Sequence, residues 1–319
     1  MVKSSPLISV IMSVYSEPSE WIKESIESIL DQSLRDFEFI VINDNPEHSR
    51  IIKLLKEFSE KDNRIRIVSN EKNIGLTKSL NKGLQLAGGE YIARMDADDI
   101  SHKERFKCQV EFLEKNQDIS LCGTWVKEFG NGVINKVKNP VSSKEIAARL
   151  LFNNCLGHAS VMFRRRICLE QGLLYDESIP KAQDYALWSE MVFKGLKLAN
   201  IPKYLLYYRI HVNQVSSKTY HEQQDYVKVI RCRWLNMLGI NLSELEYGIY
   251  EKICTRFPIL EYETDNFIRV CEIFRSVDFS KFINQDTITK ILNRSIFHYA
   301  IRLKHMSVRH RLMLLKTIF

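Results

Sequence analysis

Four short runs constrain this chain more than any other feature, because each is long enough for a strand and too short for a core helix. They are Leu7–Tyr15, Phe37–Asp44, Arg64–Val68 and Tyr91–Asp96. The first, second and fourth are apolar on both faces, as strands covered on both sides are, and the third alternates. Between them, Trp21–Leu30, Ile51–Phe58 and Leu76–Leu86 space their apolar residues as amphipathic helices do, with Ser19 placed to cap the first. This alternation predicts an α/β domain with a mostly parallel, Rossmann-like sheet. A helix around His102–Leu113 and a strand over Ile119–Phe129 extend it. After about residue 215 turn residues thin out and helical spacing takes over, so 216–319 reads as a helical C-terminal region. Ligands of such sheets gather beyond the carboxyl ends of the strands. Chemistry is therefore expected at Tyr15-Ser16-Glu17, Asp44-Asn45 and Asp96-Ala97-Asp98-Asp99.

Charge enters the argument by its location. The 46 Lys and Arg exceed the 39 Asp and Glu by seven. Residues 287–319 alone hold seven basic residues (Lys290, Arg294, Arg302, Lys304, Arg309, Arg311, Lys316) and no acid, so the remainder balances. Any anionic partner is therefore expected at this tail, and no nucleic-acid recognition module is apparent. No run of 18 apolar residues is present and the first residues lack the apolar core of a secretory leader, which predicts a cytoplasmic chain. The seven cysteines form no CxxC pair, a pattern of reduced thiols rather than disulfides or zinc ligands.

Asp96-Ala97-Asp98-Asp99 puts three carboxylates within four residues. At a strand end, alternate side chains point the same way, so Asp96 and Asp98 can converge as hard oxygen ligands for Mg²⁺ or Mn²⁺. The plainer reading of the same residues is a solvated loop that caps the next helix.

Around this cluster the chain resembles the family 2 glycosyltransferases, inverting enzymes of the GT-A fold that use nucleotide sugars. The resemblance covers about residues 6–213. It rests on Ile8–Tyr15, Val41-Ile42-Asn43-Asp44, Asn73-Ile74-Gly75-Leu76-Thr77, Arg94–Asp99, Gln183–Trp188 and Tyr208-Arg209-Ile210-His211 in their order. It implies a catalytic domain over 1–215, with a nucleotide-sugar half at about 1–100 and an acceptor half at about 101–215. Tyr15, Glu17 and Asp44 match the positions that hold the base of a UDP donor: a carboxylate accepts from the uracil N3–H and an aromatic ring stacks on the base. Asn73, Gly75 and Lys78 fall in the segment beside the nucleotide, Gly75 allowing close backbone approach. No P-loop is present. Asp96-Ala97-Asp98 matches the DxD motif, which places Arg94 and Asp96 with the donor and Asp98 on the metal. His211 falls where relatives bring a histidine to the metal or diphosphate.

Asp184 matches the catalytic base. The family pattern there is Glu-Asp, and this chain has Gln183-Asp184. His158 and Trp188 fall in segments that line the acceptor side, although a hydrogen-bonded His and a core Trp fit the residues equally well. The resemblance implies transfer of a hexose, glucose or galactose, from a UDP-sugar. The implied acceptor is a saccharide, or one linked to undecaprenyl diphosphate, in surface-polysaccharide (O-antigen type) biosynthesis. The basic tail interleaves with Ile296, Phe297, Ile301, Leu303, Met306 and Leu312. It fits an amphipathic surface lying peripherally on the anionic inner leaflet, or a helix packed on the protein with a basic outer face. A non-catalytic UDP-sugar-binding or scaffolding subunit remains as a rival reading. A sugar nucleotidyltransferase is disfavoured, because the loop after the first strand, Tyr15-Ser16-Glu17-Pro18, has no glycine.

Overall fold

The computed structural model describes residues 5–211, 220–279 and 283–302. The described chain divides into two compact units. The first comprises residues 1–142 and 155–226, the second 143–154 and 227–319.

The first unit opens with β1 (Ile8–Val14), α1 (Ser19–Leu30), β2 (Phe37–Asn43), α2 (Ser49–Lys61), β3 (Ile65–Ser69), α3 (Leu76–Leu86) and β4 (Tyr91–Asp96). These are the strands and helices that periodicity predicts, within three residues at each end. Pro18 takes the cap position that sequence assigns to Ser19: its carbonyl accepts from the amides of Trp21 and Ile22, and Ser19 opens the helix. The stripe Ile22, Ile26 and Ile29 of α1 is fully buried against Ile8, Val10, Met12 and Val14 of β1.

The chain continues through β5 (Ile100–Ser101), α4 (Arg105–Lys115), β6 (Ile119–Gly130), β7 (Val133–Val137), β8 (Met162–Arg164), the short α6 (Arg165–Gln171), α7 (Gln183–Phe193) and β9 (Lys197–Arg209). A helix, α5 (Ser143–Leu150), interrupts this run and belongs to the second unit, although the expected domain limit at 215 keeps 143–154 in the first. Helix α4 starts three residues later than its sequence pattern suggests, because β5 occupies Ile100–Ser101 and His102 turns the chain into Arg105.

The sheet runs β3-β2-β1-β4-β8-β6-β9-β5, with β7 beside β6. Its first four strands are parallel. Strand β8 is antiparallel to both β4 and β6, so β6 regains the direction of β4, and β9 runs parallel to β6. The carboxyl ends of β1, β2, β4, β6 and β9 therefore meet at one edge, a convergence that local periodicity does not reveal.

The second unit is helical: α5, then α8 (Tyr220–Met237, whose first residues lie in the first unit), α9 (Glu244–Thr255), α10 (Thr264–Ser276) and α11 (Gln285–Arg302). Phe152, Tyr250 and Phe274 pack with ring centroids 5.4–6.0 Å apart. Buried Arg231 donates to the Phe152 carbonyl at 3.0 Å and to Glu251 at 2.8 Å. Ser243 and Glu246 form a capping box that starts α9. Ile288, Leu292 and Ile296 of α11 are fully buried while Lys290 and Arg294 are exposed. Ile296 thus packs inside this unit and is not free to face a lipid surface. Lys304, Arg309, Arg311, Lys316, Leu303, Met306 and Leu312, on which the membrane expectation also rests, lie outside the described residues. Among the described residues no helix is long and apolar enough to cross a membrane.

Candidate active site

The acidic turn after β4 is the centre of the site. One ligand atom each from Asp96, Asp98 and Asp99 lies within 4.8 Å of the others. His211, just past β9, brings its Nε2 to 2.9 Å from Asp98 Oδ2. The ring of His211 sits 4.6 Å from that of Trp21 on α1. Sequence order separates these groups by more than a hundred residues; the shared strand direction joins them.

The turn is held by its backbone as well. Ser25 of α1, fully buried, donates to the Asp96 carbonyl at 2.8 Å. Arg209, at the end of β9, donates from Nε to the Asp98 carbonyl at 2.8 Å and from its amide to Asp99 Oδ1 at 2.9 Å. Its guanidinium also pairs with Glu24 and lies over the Trp21 and Phe129 rings, 5.1 and 4.6 Å from their centroids.

Electrostatics mark the same spot. Asp99 is fully buried, and its Oδ2 has no hydrogen-bond partner among the described residues. Burial, then the like charges of Asp96 and Asp98, raise its pKa well above the ordinary carboxylate value. Burial likewise raises Asp96, opposed by Arg94, with Asp98 and Asp184 adding repulsion. Glu17 is raised by burial, with Asp98 and Asp96 contributing. Four crowded carboxylates beside two arginines are a donor set short of positive charge. A hard divalent cation fits that set, with Asp96, Asp98 and His211 as the candidates to hold it.

Arg94 departs from the expectation of a donor contact. It is only 2% exposed and forms an ion pair with Asp96, so it acts as a counter-charge beneath the turn. Asp44 is also almost wholly buried and clamps the following loop. Its Oδ1 accepts from Asn70 Nδ2 at 2.8 Å and from the Ile74 amide at 2.9 Å. Its Oδ2 accepts from the Gly75 amide at 2.9 Å, leaving acceptor capacity on that oxygen. Asn73 Oδ1 accepts from the same amide. Gly75 has φ +86°, and the space where its Cβ would stand is open. Backbone conformation, rather than protein crowding, therefore demands the glycine. Tyr15 is exposed at the edge, and Glu17 folds back to accept from the amides of Tyr15 and Ser16. Lys78 is exposed near the start of α3.

Asp184 is half-buried in the first turn of α7. Its influence on Asp96 and on Tyr175 places it within electrostatic reach of the acidic turn. His158 Nε2 lies 2.9 Å from the Tyr175 hydroxyl. Burial and then Arg94 depress its pKa well below the usual imidazole value. Trp188 is fully buried, its ring centroid 6.1 Å from that of His158, so it offers no face to a sugar and the expected acceptor platform is a core residue instead. Sequence reasoning passed over Tyr175, Ser25 and Arg209. Arg209 belongs to the Tyr208-Arg209-Ile210-His211 run, and the signal available was its position two residues before His211.

The chain is similar to known glycosyltransferases. An uncharacterized glycosyltransferase of Haemophilus influenzae is 34% identical over 314 residues, 93% of each chain. The UDP-Gal:alpha-D-GlcNAc-diphosphoundecaprenol beta-1,3-galactosyltransferase of Escherichia coli is 30% identical over 213 residues, 65% of this chain and 75% of that one. The crystal structure of S. aureus TarS with UDP-GlcNAc superimposes with a TM-score of 0.61 over 98% of this chain and 89% of the other, at 17% identity, which establishes the shared fold. The sequence profile of glycosyl transferase family 2 matches residues 9–172. With a family profile over more than half of its length and a relative matched over 93% of both chains, the chain belongs to glycosyl transferase family 2 and is a glycosyltransferase.

Proposed function

We propose that this glycosyltransferase moves a hexose, glucose or galactose, from a UDP-sugar to an acceptor hydroxyl with inversion. The acceptor is a saccharide carried on undecaprenyl diphosphate, in the assembly of a surface polysaccharide. The observation that carries the reading is the meeting of Asp96, Asp98, Asp99 and His211 at one strand-end edge with Asp184 in electrostatic range. The donor and acceptor classes are supported by the Escherichia coli relative, whose name contains both.

Asp44 keeps acceptor capacity for the uracil N3–H, and exposed Tyr15 offers its ring to the base. Asp184 removes the proton of the acceptor hydroxyl, whose oxygen attacks the anomeric carbon from the face opposite the nucleotide. The bond from that carbon to the diphosphate breaks, and UDP leaves. A divalent cation held by Asp96, Asp98 and His211 would neutralise the charge that develops on the diphosphate. Gln183, 7% exposed, stands where the family pattern has glutamate, and the aspartate beside it is retained.

A donor screen tests the reading. Thermal stability is measured with UDP-, GDP- and TDP-sugars, with Mn²⁺ and with EDTA, since a ligand of the native state raises apparent stability. A shift with UDP-sugars that EDTA abolishes is expected. A shift indifferent to EDTA would remove the cation from the reading, and no shift with any nucleotide would remove the donor.

A further inference from the structure

The acidic turn is gripped at Asp98 and Asp99 by a residue to which the site described above gives no role. Arg209 makes two hydrogen bonds to consecutive residues of the turn: side-chain Nε to the Asp98 carbonyl and main-chain amide to Asp99 Oδ1. The rest of its guanidinium is fixed from three directions. Glu24 pairs with it, and the Trp21 and Phe129 rings stand on it. Glu24 and Trp21 lie on α1, Phe129 is the last but one residue of β6, and Arg209 ends β9. One side chain thus ties the turn to three elements of the first unit.

The pairing is directional. The planar fork of arginine sends Nε to the carbonyl while a terminal nitrogen reaches Glu24, and lysine, with one nitrogen on a flexible stem, has no such fixed fork. The Asp96 carbonyl is held separately by Ser25. The two clasps act at the two ends of the motif, and only the one at Asp98 and Asp99 depends on β9. The same strand end delivers His211 to Asp98, so the element that supplies the histidine also sets the height of the carboxylate it meets.

We infer that Arg209 is a positioning residue: it holds the turn at the Asp98 carbonyl and the Asp99 carboxylate so that Asp98 and His211 converge on a divalent cation and the donor diphosphate. This deepens the proposed reading of the site and rests on it for the identity of the ligand. The guanidinium faces the backbone of the turn and Glu24, and its role runs through Asp98.

The test uses the full chain with Arg209→Lys and Glu24→Gln. The first readout is amide hydrogen exchange in the apo protein, which needs neither metal nor nucleotide. Exchange over residues 98–101 is expected to rise about tenfold in Arg209→Lys, the scale of one lost charge-assisted hydrogen bond, and less in Glu24→Gln, with the β1 and β2 amides unchanged. Unchanged exchange over 98–101, or a rise spread evenly over the first unit, overturns the inference. The second readout is UDP affinity by calorimetry with Mn²⁺ and with EDTA. Arg209→Lys is expected to keep the affinity seen in EDTA and to lose about tenfold of the gain that Mn²⁺ gives. Equal loss in both conditions overturns the inference, because a general structural defect has no reason to respect the metal. If wild-type UDP affinity is indifferent to Mn²⁺, the metal reading fails. Exchange over 98–101 then decides the positioning role by itself.

Discussion

Asp184 is half-buried in the acidic-turn region, whereas His158 is held against the Tyr175 hydroxyl. Asp184 sits in the first turn of α7, within reach of the acidic turn. Replacing it by Asn keeps the shape and removes the base. Turnover is expected to fall by about 10²–10⁴-fold while UDP affinity stays within a factor of about two. Parallel kinetics and calorimetry check this, and retained turnover would move the base elsewhere. His158 gives a pH prediction. Its pKa in the folded chain lies well below the usual 6.5, through burial and Arg94. Between the two values the unfolded chain binds more protons than the native one, so stability rises with pH through that window. Denaturant midpoints are therefore expected to fall as pH drops below about 6.5, and His158→Gln to flatten that slope. An unchanged slope in the variant would assign the effect to another group.

Loops and helices carry their own consequences at the scale of elements. The segment from Asn73 to Gly75 is held by Asp44 through two amides and turned by a glycine at φ +86°. Gly75→Ala is expected to cost about 1–3 kcal/mol, because that conformation is costly for a residue with a Cβ. Chemical denaturation measures it, and a cost near zero would mean the turn relaxes to another geometry. In the second unit, Arg231 is buried and leans on Glu251. Glu251→Leu leaves that charge without its carboxylate and is expected to cost about 3 kcal/mol, whereas the double change Arg231→Met with Glu251→Leu recovers much of it. Failure of the double variant to recover would show that the Arg231 hydrogen bond to the Phe152 carbonyl matters more than the pair.

For the whole molecule, charge is the informative quantity. The excess of seven basic residues is confined to 287–319. Only its beginning is described, and there Ile296 is buried while Lys290 and Arg294 are exposed. Binding of the full chain to anionic vesicles is expected to weaken steeply between 0.05 and 0.5 M salt, about the range over which the screening length shrinks below a side chain's reach. Removal of residues 303–319 is expected to abolish it while leaving UDP affinity unchanged. Sedimentation with neutral and anionic vesicles reads both, and binding that survives the truncation would place the contact outside the tail.

What the amino-acid order determined by itself is local. β1 to β4 and α1 to α3 follow from runs of apolar residues and their period, since burial on two faces or on one stripe leaves a one-dimensional trace. The acidic turn was equally legible, because its residues are neighbours in the chain. Tertiary structure alone decided what lies beside what. The reversal at β8 aims β6 and β9 at the same edge, and so carries Arg209 and His211 to Asp98 across more than a hundred residues. It also decided burial. Trp188 and Arg94 have side chains that suit a binding face, and packing closed both off. Segment 143–154 shows the same limit for domains: nothing in the order of its residues marks its membership of the second unit. Periodicity records which side of an element is dry, and only the folded chain shows which neighbour keeps it dry.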